Sequence, residues 1–186
     1  MKKFGILLFA VLCLTGCHDA SKEIEKGMEL RTKLLQASSV EFDVDITADY
    51  GEMIHTFSMT CKGDSKGDIT FVVSAPESIS GITGQLSGEG GLLTFDDVAL
   101  HIELLADDQL TPISAPWIML KTLRSGYLTS AGMEEDLLRL TINDDYEDDA
   151  LQLDIWLDQQ NLPNQAEILY DGYRILSLHV KNMVIS

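Results

Sequence analysis

The chain has 186 residues, 45% of them hydrophobic, and sets 30 acidic against 13 basic side chains for a formal charge of -17. That length and apolar content suit a single folded domain, whereas the acidity argues against nucleic acid as a partner, since holding phosphates takes clustered Lys and Arg. Three cysteines are too few and too scattered for a disulfide framework.

The beginning of the chain carries an address. Lys2 and Lys3 form a positive head, residues 4–14 an almost unbroken apolar run, and Leu14-Thr15-Gly16-Cys17 a small-residue exit. This is the layout of an export signal. The run is well short of the ~20 residues of a membrane-spanning helix, and no second such run follows. The last four residues resemble the lipobox of bacterial lipoproteins, in which the peptide bond before the cysteine is cut and its thiol acylated. By that resemblance residues 1–16 are a lipoprotein signal peptide and Cys17 is lipidated. The protein is then exported and anchored to the outer side of the cell membrane, or to the outer membrane where the organism has one. Residues 1–16 include two lysines and no acid, so the remainder carries -19. Anionic headgroups repel such a body, and attachment has to come from acyl chains, each buried methylene adding about 0.8 kcal/mol. Cys13 leaves with the signal, Cys17 is lipidated, and Cys61 is left with no intramolecular partner.

Residues 17–22 read as a polar tether and 23–186 as one domain. Ile24, Met28, Leu34 and Leu35, with Leu30 at the flank, recur near helical spacing among charged residues and predict an amphipathic helix ending near Ser38. The period then becomes two. Val40, Phe42, Val44, Ile46 and Ala48 alternate with acids and Thr47, and after a turn at Tyr50-Gly51 the alternation resumes with Met53, His55, Phe57, Met59 and Cys61. These predict two strands paired as an antiparallel hairpin. A third strand begins at Ile69 and is ended by Pro76, which cannot donate to a ladder. Shorter apolar segments follow at 79–86, 92–95, 98–105, 137–142, 151–157, 166–170 and 173–180, with Asp171-Gly172 as the clearest two-residue hairpin turn. Ser114 is positioned to cap a helix from Ala115 to about Arg124, whose Trp117, Leu120 and Leu123 face the sheet. The expected fold is mainly β with flanking helices, one antiparallel sheet curving on itself.

Several stretches taken in order resemble the LolA and LolB superfamily of lipoprotein-localisation factors: Ala75-Pro76-Glu77-Ser78-Ile79-Ser80-Gly81-Ile82, Ala115-Pro116-Trp117, Asn161-Leu162-Pro163-Asn164-Gln165-Ala166-Glu167-Ile168, and Met183-Val184-Ile185. The resemblance extends over nearly all of residues 28–185. It implies an incomplete antiparallel β-barrel, closed by an N-terminal and a mid-chain helix, around an apolar cavity that receives acyl chains. The chain departs from the soluble carriers in having the lipobox, like the LolB-type receptor. It also lacks the early-strand arginine that helps hold their lid, since no arginine occurs between Arg31 and Arg124. In general form it is also similar to germination-associated lipoproteins of spore-forming bacteria, for which the fold is a scaffold supporting a cell-wall amidase.

Catalytic patterns are weak. His18, His55, His101 and His179 form no i, i+4 pair and no HExxH. Asn143, Asp145, Glu147 and Asp149 alternate, but the glycine and the terminal glutamate of an EF-hand loop are missing, and a solvated hairpin turn fits better. No GxSxG elbow or P-loop is present. The chain therefore reads as a binding protein, with no enzymatic site, metal or cofactor. The apolar face offers hydrophobic-ligand contacts at Val44, Ile46, Phe57, Met59, Phe71, Val73, Ile82, Trp117, Leu120 and Leu123. Periodicity leaves open whether that face is a cavity for a lipid or lipoprotein acyl chain or a filled core.

Overall fold

The computed structural model describes residues 17–186 except 52, 97, 103–104, 107–108 and 147–149. Residues 1–16, read from the sequence as a signal peptide, lie outside the described residues. Eleven strands form one antiparallel sheet in the order β6-β5-β4-β3-β2-β1-β13-β12-β11-β10-β9. The chain enters at the middle with β1 (Ser39–Asp49) and meanders outward through β2 (Ile54–Asp64), β3 (Ile69–Ala75), β4 (Thr83–Ser87), β5 (Gly90–Phe95) and β6 (Val98–Ile102). Two short strands, β7 (Leu105–Ala106) and β8 (Gln109–Leu110), pair with each other apart from the main sheet. The chain then restarts at the far edge and returns through β9 (Tyr127–Glu134), β10 (Leu137–Asn143), β11 (Gln152–Leu157) and β12 (Pro163–Tyr170) to β13 (Tyr173–Ile185), which lies against β1. Strands β6 and β9 are the edges of the sheet, so the barrel is incomplete.

The first two strands pair as the expected antiparallel hairpin, with Val44 opposite Met59 and Ile46 opposite Phe57. Its inward residues Val40, Phe42, Val44, Ile46, Met59 and Cys61 are all buried. Asp43 and Asp45 face the other way into polar ladders. Asp43 accepts from Thr60 Oγ1 at 2.7 Å and Asn182 Nδ2 at 2.9 Å, and Asp45 accepts from Ser58 Oγ at 2.7 Å and from Lys181. These bonds hold both carboxyls below the usual carboxylate range. Between Tyr170 and Tyr173, Asp171 and Gly172 have φ of 49° and 74°. Positive φ at both positions is what a type I′ hairpin requires, and Asn, Asp and Gly tolerate it best.

Two helices fill much of the concave side. Helix α1 (Cys17–Gln36) takes in residues 17–22, read from the sequence as a tether, because that stretch has no proline or glycine to stop helical propagation. Its buried stripe is Gly27, Leu30, Leu34 and Ala37 at spacings of three and four. Ile24, Met28 and Leu35, expected to face the core, are exposed instead. Gly27 allows the close approach: a Cβ there would sit 3.1 Å from Leu140 Cδ1 on β10. Helix α2 (Ala115–Ser125) agrees with the predicted bounds within one residue and buries Ile118, Met119, Leu120 and Leu123. Ser114 does not cap it through its side chain; its hydroxyl donates back to the Thr111 carbonyl at 2.6 Å. The helices are joined by Arg31, whose Nε and Nη2 donate to the carbonyls of Leu123 at 2.8 Å and Gly126 at 2.7 Å. A cation thus meets the unsatisfied C-terminal carbonyls of α2.

Candidate functional site

The concave face is filled along part of its length and uncovered along the rest. Toward the β4–β5 turn, large side chains close over bare backbone. The Phe71 ring lies 2.4 Å from where a Cβ on Gly84 would be, and Ile102 Cγ1 lies 2.7 Å from the corresponding point on Gly91. Leu86 beside them is fully buried. Following β5 to its other end, the same inward row continues as Leu93 and Phe95, opposite Leu100 and Val98 of β6. Here cover is lost: Phe95 is 48%, Val98 68% and Leu100 60% exposed. Ile82 and Leu93 are half-buried between the two zones.

The uncovered row opens at one end of the sheet, where the β1–β2, β3–β4, β5–β6, β10–β11 and β12–β13 connections all lie. Those connections and the strand ends beside them carry exposed Met53, Ile54, Ile79, Tyr146, Tyr170 and Tyr173. Large apolar side chains left exposed at that end of the sheet are what a soluble surface seldom carries without a partner, and they mark it as the candidate site.

Of the predicted contact residues, Val44, Ile46, Met59, Phe71, Val73, Leu120 and Leu123 sit together in the closed core. Phe57, Ile82 and Trp117 are half-buried against it. Trp117 lies at the β4–β5 turn, 4.0 Å from a Cβ built on Gly88, with the Lys121 ammonium 5.5 Å over its ring. It is therefore at the far end of β5 from Phe95. Sequence reasoning missed Leu93, Phe95, Val98 and Leu100. The apolar segments were visible, but alternation says which residues share a face and not whether anything covers them.

Other chemistry is sparse. Among the described residues, no three of His, Cys, Asp and Glu stand close enough together to hold a metal ion. Asp144 Oδ1 accepts from the Leu151 amide at 2.8 Å and Asp145 Oδ1 from that of Tyr146 at 2.6 Å, while Glu147 and Asp149 lie outside the described residues. Cys61 is a buried free thiol, and burial pushes its pKa up, away from nucleophilic reactivity. On the convex side a groove of about 470 Å³ runs over β2–β5, lined by Thr60, Lys62, Thr70, Val72, Gln85, Leu92 and Thr94. No helix among the described residues is long and apolar enough to cross a membrane.

No protein-family model and no curated protein matches this sequence. Solved structures do. A LolA superfamily protein from Nitrosomonas europaea aligns over 90% of this chain and 93% of its own, at 14% identity and a TM-score of 0.50. The fold is LolA-like. The lipoprotein LppX of Mycobacterium tuberculosis aligns with this LolA-like chain over 87% and 93% of the two lengths, at 14% identity and a TM-score of 0.42. MucB of Pseudomonas aeruginosa, in its complex with MucA, covers 89% of this chain and 56% of its own at 15% identity and 0.34. Both are looser likenesses, and neither carries an argument here. The LolA-like architecture read from the order of strands and helices is the architecture observed, including the open seam and the helices on the concave side.

Proposed function

We propose that this protein is a membrane-anchored, LolA-like lipoprotein that binds an acyl chain, of a lipid or of another lipoprotein, noncovalently in the uncovered part of its half-barrel. The supporting observation is the inner face of β5 and β6, where Phe95, Val98 and Leu100 point to the concave side yet remain exposed. Each apolar side chain covered by a bound chain contributes about 1.5–3 kcal/mol at full burial. Apolar burial rather than charge drives such binding, so affinity changes little with salt.

Lipids with brominated acyl chains quench only nearby tryptophans and locate the ligand. Trp156 is on the convex face, its Nε1 donating to Glu134 at 3.1 Å, and serves as the internal control. In a Val98→Trp variant the new indole should be quenched saturably, Trp117 more weakly, and Trp156 not at all. Equal quenching of all three, or none at position 98, rejects the acyl-chain reading; retained capture of a cell-wall amidase by the same protein would then favour the scaffold role.

Attachment is proposed to reside in a lipid on Cys17. Replacing it with alanine should move the protein from the membrane pellet to the soluble fraction in detergent-free fractionation, with its melting curve unchanged. A Cys17→Ala protein that still pellets with membranes removes the anchor.

A further inference from the structure

We propose that the outward face of α1 rests on the bilayer, with Ile24, Met28 and Leu35 buried in the membrane interface. Helix α1 has two apolar stripes. The stripe of Gly27, Leu30, Leu34 and Ala37 is buried against β9, β10 and α2. The stripe of Ile24, Met28 and Leu35, spaced four and seven residues apart, is exposed. At about 100° per residue these three fall within some 40° of one another, and nothing in the fold accounts for them.

The occupant follows from what else lies on that line. Position 17 is two turns before Ile24, so the residue proposed to carry the lipid belongs to the same face of the helix. Arg31 also falls on the line, but its guanidinium is turned under to the carbonyls of Leu123 and Gly126 and leaves the stripe uncharged. Ser21 and Thr32 flank the stripe, and Glu23, Glu25 and Glu29 fall on the other faces of the helix.

Charge selects the same surface. The four acids of α1 are balanced by Lys22, Lys26, Arg31 and Lys33, so the whole of the -19 of residues 17–186 lies beyond the helix. An anionic bilayer repels the rest of the body and is indifferent to α1. A neutral helix with an exposed apolar line, beginning at the anchor residue, takes the interface orientation. It would hold the barrel in one pose rather than on a loose leash.

This inference rests on membrane attachment at Cys17, and the two are separable in one experiment. The full-length protein, with its native N-terminal modification, is reconstituted in phosphatidylcholine vesicles containing a minority of phosphatidylglycerol, and nitroxide labels are placed by Ile24→Cys, Met28→Cys, Lys26→Cys or Lys33→Cys. Buried Cys61 stays unlabelled. Sedimentation with the vesicles reads the anchor, and the accessibility of the label to oxygen against a water-soluble nickel chelate reads the face. Labels at 24 and 28 should be oxygen-accessible at a depth of about 5–10 Å, and labels at 26 and 33 chelate-accessible. Sedimented protein with all four labels in water overturns the inference and leaves the anchor standing. Protein that does not sediment removes both. Labels at 24 and 28 that leave water only when a protein partner is added assign the stripe to that partner and overturn the bilayer as its occupant.

Discussion

Replacing Phe42 with alanine should destabilise the protein by about 3–5 kcal/mol, while Phe95→Ala should change stability by no more than about 0.5 kcal/mol. Both rings lie on the concave side of the same sheet. Phe42 is 2% exposed in the middle of the core, so truncating it leaves a void that strands β1, β2 and β13 cannot close without breaking their ladders. Phe95 is half in solvent, and removing it deletes surface that the fold does not use. Urea melts of the two variants at matched concentration measure the difference. Equal losses would mean that the β5–β6 end is packed as tightly as the centre, which is incompatible with a ligand lying there. The contrast should reverse in lipid capture, where Phe95→Ala loses affinity and Phe42→Ala does not at a temperature where both remain folded.

Arg31→Met should cost about 1.5–3 kcal/mol, the range for hydrogen bonds made by a charged group. The substitution keeps most of the aliphatic packing and removes the two bonds to the last carbonyls of α2. Partial burial lowers the Arg31 pKa from its ordinary value, yet an arginine remains a cation at any physiological pH. Both carbonyls would lose their partner on the side facing α1. Arg31→Lys should recover only part of the loss, because a single ammonium cannot reproduce the forked geometry that reaches Leu123 and Gly126 together. Hydrogen exchange on the amides of α1 distinguishes this clamp from general destabilisation: α1 should exchange faster while β1 and β13 keep their protection. Uniform acceleration across the sheet would mean general destabilisation rather than a local clamp, and unchanged exchange in α1 would mean that packing alone holds the helix.

The part played by Arg31 bears on the departure noted in the sequence. The chain has no arginine on an early strand, and the structure joins its two concave helices by a guanidinium from α1 instead. Arg124 adds a second tie, donating from Nη2 to the Asp64 carbonyl at 3.0 Å in the β2–β3 turn. Both arginines therefore hold helices to each other or to the sheet, and neither projects into the uncovered zone.

Sequence alone determined the features that depend on local periodicity. The β1–β2 hairpin was legible as two paired strands because successive positions alternate in type, and a slip of one residue from the register the structure shows would turn Asp43 and Asp45 into the core. Asp171-Gly172 and the bounds of α2 were legible because turn and helix chemistry are local. Strand β9 was not. Tyr127–Glu134 has no clean alternation, being an edge strand with an irregularity in its pairing to β10, so only one side of it is constrained. In helix α1 the sequence placed Leu30 and Leu34 on the apolar face, where they are buried, but grouped Ile24, Met28 and Leu35 with them, because these are strongly apolar while Gly27 is not. Which stripe turns inward was decided by how closely the backbone had to approach Leu140. The separation of a filled core at Phe42, Val44 and Phe71 from an uncovered row at Phe95, Val98 and Leu100 also belongs to the tertiary structure. The inward residues of the two zones are alike in type. They differ in what lies above them, since the curvature of the sheet and the placement of α1 and α2 cover one part of the apolar face and leave the β5–β6 edge open.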